Sequence, residues 1–298
     1  MTQDRPLLGI SLMLGFCLLA PLGDSIAKLL GPIVPLALLL AIRFGVQAGL
    51  LLPLCRLQGV PIVPPAHLLL LVVLRTLLHI AGVGMMFTAL RFLPLADAIA
   101  IAFVMPFILL LLGKLFLGEE VGPRRIAACT VGFAGSLMVI QPSFAEVGAA
   151  ALLPLGVALS FALFMLTTRK VAKDVGAIPL QAFSGLLATL VLLCVVLVTG
   201  EWTALATLST QSWLLLVLIG IVGTVAHLLM TWSLRYAPSA TLAPMQYLEI
   251  PVATFFGWLI FSDLPGPLAS TGILVTMAAG LYIVWREGRA TRAAPPAV

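Results

Sequence analysis

Charge is scarce in this sequence. Only 9% of its 298 residues are Asp, Glu, Lys or Arg, where a soluble domain carries about 25%. With 62% hydrophobic residues and a mean hydropathy of +1.20, that scarcity excludes a water-soluble globule. Runs such as "HLLLLVVLRTLLHIAGVGMMFTALRFL" exceed the roughly 20 residues that cross a bilayer and present no polar face to water. Cysteine is sparse too. Cys17, Cys55, Cys129 and Cys194 stand far apart, without C-x-x-C or Cys/His spacing, so neither a disulfide framework nor a zinc site is expected and they read as small packing residues. The three histidines, His67, His79 and His227, form no catalytic motif, which disfavours a membrane-embedded enzyme. No Gly-rich phosphate loop follows a strand, so no ATP site and no cofactor are expected, and transport energy would come from a gradient. Rings of like charge and repeated carbonyl filters are missing, which disfavours a channel. The net charge of +5 comes from cations scattered over short loops with no reader motif, so nucleic acid is not a partner.

What is present is a series of ten apolar segments punctuated by Pro, Gly and charge, at about 7 to 28, 35 to 56, 67 to 92, 95 to 117, 124 to 142, 149 to 170, 177 to 199, 212 to 236, 239 to 262 and 267 to 286. In hydrocarbon a spanning segment must satisfy its own backbone, and the alternation of a β-barrel is lacking, so all ten are expected as helices. The first is taken as a span rather than a cleaved signal peptide. Lys and Arg gather on the cytoplasmic side of membranes. With the N-terminus inside, the inner segments hold Arg5, Arg56, Lys114, Arg124, Arg125, Arg169, Lys170, Lys173, Arg235, Arg286, Arg289 and Arg292, against Lys28 and Arg91 outside. Both termini are therefore expected in the cytoplasm. The polar end "GRATRAAPPAV" reads as a disordered cytoplasmic tail, 287–298.

The chain also repeats itself. "LRFLPLADA" at 90 to 98 returns as "LRYAPSATL" at 234 to 242, "AKLLG" at 27 to 31 as "AKDVG" at 172 to 176, Pro35-Leu36 as Pro179-Leu180, Pro106 as Pro251, and "LGEEVGP" as "FSDLPGP". Every offset is 144 or 145 residues. Five spans per half is an odd number, so the two copies, 7–142 and 149–286, should insert with opposite orientation, the inverted-repeat plan of secondary transporters. The stretches "LRFLPLADA", "AFVMPF", "LGEEVGPRR" and "LRYAPSATLAPMQYLEIPVATFFGWLIFSD" together resemble the drug/metabolite transporter superfamily, specifically its EamA-type ten-helix branch, over essentially the whole chain. The resemblance implies one all-α integral membrane domain of two inverted five-helix repeats, a central cavity lined mainly by the third, fourth, eighth and ninth helices with parts of the first and sixth, and alternating access. It also implies a bacterial cytoplasmic (inner) membrane and a small-molecule substrate; a monomer within the lipid bilayer is an expectation that the resemblance does not decide. Similar proteins export amino acids, aromatic ones among them, or import larger metabolites such as S-adenosylmethionine. Amino acid export is the first expectation.

Polar residues inside a span are costly and therefore functional candidates. Asp24, Arg43 and Asp97 should share the outer part of the membrane, as a gating ion-pair set or a static neutralising one. Arg75 and His79, four apart on one helical face, could meet a substrate carboxylate and titrate near neutral pH; equally, Arg75 could snorkel and His79 pack as a neutral donor. In "PMQYLEIPV", Glu249 sits at the most expensive depth and is expected to face the cavity as a proton or ammonium partner, with Gln246 and Tyr247 beside it. Pro106 and Pro251 should break their helices, as helices at transporter sites often are. Phe103, Phe107, Trp232 and Tyr247 could hold an apolar or aromatic side chain. "GVG" at 82 to 84 and "GIVG" at 220 to 223 read as close helix packing.

Overall fold

The computed structural model describes residues 5–93, 95–140, 152–262 and 266–293, among which there are helices and no strand. In chain order the α-helices are α1 (Pro6–Leu30), α2 (Leu36–Leu57), α3 (Ala66–Ala89), α4 (Leu95–Ala102), α5 (Met105–Leu117), α6 (Pro123–Ile140), α7 (Leu152–Val171), α8 (Ala177–Thr199), α9 (Thr210–Tyr236), α10 (Ser239–Leu242), α11 (Glu249–Phe261) and α12 (Pro267–Ala293). Two 3₁₀ stretches, Glu201–Thr207 and Ala243–Leu248, complete the path. Six of the described helices, α1, α2, α3, α7, α8 and α9, are long and apolar enough to cross a membrane. Their outward faces carry exposed apolar side chains such as Leu70, Leu197 and Val198, which lipid solvates at no cost.

Two expected spans are not single helices. The segment 95–117 stops at Ala102 and restarts at Met105, because Pro106 has no N–H to give the carbonyl four residues back and its ring collides with it. Pro244 and Pro251 do the same to 239–262, whose middle relaxes into the 3₁₀ stretch. Both Pro106 and Pro251 therefore sit in the first turn of a restarted helix, where no intrahelical N–H is needed, rather than bending an unbroken one. The breaks keep the repeat's spacing. Leu95 and Ser239 open the two segments, Met105 and Glu249 restart them, and Leu117 and Phe261 end them, each pair 144 residues apart like Phe103 and Tyr247. At the other end, α12 continues to Ala293, so the helix runs past residue 286 into the segment expected to be disordered. Pro94, the 141–151 connection with both repeat boundaries, the Asp of "FSDLPGP" and residues 294–298 lie outside the described residues.

Lipid offers no hydrophobic reason for two helices to associate, so the bundle depends on close packing. The four most extensive helix interfaces are α2 with α8, α1 with α9, α6 with α12, and α3 with α7. Exchanging α1 with α7, α2 with α8, α3 with α9 and α6 with α12 maps these four onto themselves. Small residues set the approach. A Cβ on Gly9 would come within 2.5 Å of the Ala237 Cβ, one on Gly220 within 2.5 Å of Val46, and one on Gly82 within 2.6 Å of the Phe161 ring.

Candidate functional site

The two broken segments meet at the middle of the molecule. The Phe103 and Tyr247 rings pack 5.2 Å apart, and the Tyr247 hydroxyl donates to the Phe103 carbonyl at 3.2 Å, one of the groups exposed where α4 stops. Gly132 of α6 leaves room for the tyrosine ring, since a Cβ there would lie 2.5 Å from it. Beside this junction is a cavity with about 840 Å³ of atom-free space, counting its mouth. Its wall is chiefly apolar: Phe16 of α1, Met86 and Phe87 of α3, Phe103 and Met105 at the break, Phe161 and Met165 of α7, and Ile219 of α9.

Into this apolar wall the helices insert a few polar groups: Asp24, Arg43, His227, Gln246 and Glu249. Asp24 follows Pro21, whose missing N–H opens the α1 ladder one turn earlier. Arg43 is 4% exposed, lies over the Phe44 ring at 4.6 Å, and fits because position 223 is glycine; a Cβ there would touch the guanidinium at 3.0 Å. Its Nη1 is buried without a partner. Gln246 donates to the Met165 sulfur at 2.9 Å, while its Oε1 is also buried without a partner. The Cys17 thiol lies 4.0 Å from Glu249 Oε1. The cavity thus holds an unpaired donor from the first half of the chain and an unpaired acceptor from the second. Unsatisfied buried groups of this kind call for a ligand, a water or an ion.

Of the residues singled out from the sequence, Asp24, Arg43, Phe103, Gln246 and Glu249 line this cavity. Asp24 and Arg43 share the wall without an ion pair between them; the Asp97 side chain lies outside the described residues. Five others stand off the wall. Tyr247 is turned into the junction, Trp232 lines a separate groove with Pro61, Pro64 and Pro65, and Phe107 packs edge-on against Phe133. Arg75 neither snorkels nor faces the cavity: it is fully buried, donating from Nε to Thr168 Oγ1 at 2.7 Å and from Nη1 to Ser184 Oγ at 2.9 Å, with Thr231 Oγ1 3.5 Å from Nη2 and the Phe164 ring 4.5 Å away. The reason is chemical. A guanidinium carries five donors, and three neighbouring helices each supply a hydroxyl. His79 is likewise buried, paired with His227.

Sequence reasoning did not single out Glu119, the first acidic residue of "LGEEVGP". Its carboxylate accepts from the Ser239 amide at 3.1 Å, the Ser239 hydroxyl at 2.7 Å and the Ala240 amide at 2.9 Å, and lies 3.6 Å from Arg169 Nε. Pro238, which precedes α10, has no side chain able to cap it. A carboxylate from the other half therefore satisfies the free amides. Arg169 in turn donates to the Leu234 carbonyl at 2.8 Å, and Arg125 to Thr241 Oγ1 at 2.7 Å. This clamp joins the two halves of the chain at the end of the bundle where Lys and Arg are concentrated. The motif was visible; its partner, 120 residues away, was not.

A profile of the EamA-like transporter family matches residues 7–141 and 148–285. The chain belongs to the EamA-like transporter family. It is a multi-pass membrane protein of that transporter family. Among its relatives, a riboflavin transporter of Brucella anthropi is 26% identical over 262 residues, covering 88% of this chain and 92% of the relative. An S-adenosylmethionine uptake transporter of Rickettsia felis is 25% identical over 221 residues, covering 73% and 72%. A solved crystal structure at 19% identity aligns over 95% of this chain and 98% of its own with a TM-score of 0.72, which speaks to the fold alone.

Proposed function

We propose that this EamA-like transporter carries a planar heteroaromatic metabolite of the riboflavin class across a bacterial cytoplasmic membrane by alternating access. In this reading the chain makes ten spans, with both termini cytoplasmic, as two inverted repeats that rock about the cavity. The observation that carries it is the wall itself: phenylalanines 16, 87, 103 and 161 offer faces for a flat ring system, while Arg43 Nη1 and Gln246 Oε1 offer one donor and one acceptor. A flavin's ring edge alternates acceptors and donors in this way, and an aromatic wall carrying a few polar groups suits such ligands. The riboflavin transport named for the Brucella relative supports the same class. Amino acids, expected first from the sequence, use their charged ends for recognition and would leave most of this aromatic wall without a partner.

A second reading has its own observation. Asp24 and Glu249 put two carboxylates on the wall, which suits a cationic amphiphile such as S-adenosylmethionine, the cargo named for the Rickettsia relative. Counterflow in proteoliposomes separates the two. Vesicles preloaded with riboflavin should take up labelled riboflavin saturably, and Arg43→Ala should raise the half-saturating concentration about tenfold, the worth of one charged hydrogen bond. Absence of riboflavin counterflow, with S-adenosylmethionine or amino acids exchanging instead, would overturn the flavin reading in favour of whichever cargo moves.

A further inference from the structure

Near the middle of α3 and two-thirds of the way along α9, His79 and His227 point at one another with 3.2 Å between their Nε2 atoms. One Nε2 must donate and the other accept, so the neutral pair holds one hydrogen between two rings. The accepting ring then carries its own hydrogen on Nδ1, and the donating ring has a bare Nδ1. Both Nδ1 atoms are buried without partners, leaving one donor and one acceptor unsatisfied. The rings are held by Phe164, stacked on His79 at 4.6 Å, and by Phe44, edge-on to it at 5.1 Å. His79 is sealed inside the bundle, whereas His227 is on the cavity wall. Each half of the chain contributes one ring, so the shared hydrogen bond spans the surface along which the halves would rock.

We propose that His79 and His227 form a single proton site that couples transport to a proton gradient. The inference rests on the transporter reading but not on the identity of the cargo. A proton arriving through the cavity adds to the bare Nδ1 and gives an imidazolium hydrogen-bonded to a neutral imidazole; no other bond forms or breaks. The charged groups that act on the pair are Arg43 of α2 and Arg75 of α3, while Asp24 of α1 and Glu249 of α11 stand on the same cavity wall as His227. Cys17, 4.0 Å from Glu249 Oε1, is a further titratable group beside that wall, and the two carboxyls are the groups that would offset a proton added beside the arginines. From α7, Phe161 and Phe164 pack against the His79 ring, and from α8 the Gln181 amide donates to the His227 carbonyl. Movement of the halves would break the shared hydrogen bond and open each imidazole to a different side. Histidine is the side chain whose charge changes in the physiological range, and an ionisable pair inside a membrane is a functional site by default.

Two measurements on the full chain decide the matter. In a His67→Gln background the only imidazoles left are His79 and His227, and ¹⁵N NMR of histidine-labelled protein in nanodiscs reads both rings. The expected result is uptake of one proton by the pair in a single step as the pH falls from about 8 to about 4, with the two rings changing together. Rings that stay neutral throughout, or titrate in two independent steps, overturn the proposal. In proteoliposomes, an imposed pH gradient should raise net riboflavin flux several-fold in the parent protein, and His79→Gln should bring the ratio of fluxes with and without the gradient to one, whatever the absolute flux. A His79→Gln ratio equal to the parent's overturns it. Lack of riboflavin flux in the parent would strike the flavin reading alone, because the NMR titration uses no cargo.

Discussion

At the residue scale, the two intramembrane arginines differ in how their donors are used. Arg75 spends its donors on Thr168 and Ser184, with Thr231 within 3.5 Å, and thereby ties α3 to α7, α8 and α9. Arg75→Lys replaces a fork by a point charge and cannot reach all three hydroxyls. It should destabilise the protein by about 2 kcal/mol, seen as a lowered midpoint of thermal unfolding in detergent. Arg43→Ala, which removes a guanidinium with an unpaired Nη1 beside a cavity, should instead leave that midpoint within a degree or two while weakening cargo binding. A larger thermal loss for Arg43→Ala than for Arg75→Lys would reverse the assignment. Both arginines were legible as costly intramembrane charges. Which of them faced the cavity was not, because helical spacing gives a face and only the neighbours say what covers it.

At the element scale, the helix ends carry the repeat more faithfully than the side chains do. Gly118 ends α5 with φ of 63° and Ser262 ends α11 with φ of 59°, the same left-handed cap in the two halves. Glycine adopts this conformation freely, whereas an L side chain is strained by about 1 kcal/mol or more. Open space surrounds Gly118, so a Cβ there would meet nothing within 4 Å. Gly118→Ala should therefore cost about 1 kcal/mol through the backbone alone, while Ser262→Gly should be neutral or stabilising. Paired denaturation curves of the two variants would test this, and a neutral Gly118→Ala would show that the cap is not held in the folded state. The breaks at 103–104 and 243–248 were partly readable from Pro106, Pro244 and Pro251. Their form was not, because a proline removes one hydrogen bond without saying whether the chain bends, restarts or tightens into a 3₁₀ turn.

At the scale of the whole molecule, the clamp around Glu119 ties the two halves of the chain together at the basic end. In the proposed alternating-access cycle this contact parts once per turnover, so its strength would set the balance between closed and open forms. Glu119→Ala removes a carboxylate that three donors share. The loss should favour the open form by about 2 kcal/mol, or roughly thirtyfold in the ratio of open to closed. In a cysteine-free background, Met165→Cys on the cavity wall should then react correspondingly faster with an impermeant maleimide applied from the basic face. An unchanged labelling rate would mean that the clamp serves only to cap α10.

Composition by itself determined that this chain lives in lipid, since almost every stretch is too apolar for water. The punctuation of Pro, Gly and charge marked where segments begin and end, and the resemblance carried by "LRFLPLADA" and "LGEEVGPRR" pointed to the family whose profile the chain matches. Only the tertiary structure decided which polar groups look into a cavity and which are spent on each other. Arg75, His79 and Tyr247 were expected beside a substrate and are engaged by Thr168, His227 and Phe103. The reason is that such partners come from helices far apart in sequence. A sequence records the cost of placing a polar group in a membrane, but the group that offsets it is chosen by which helices lie side by side.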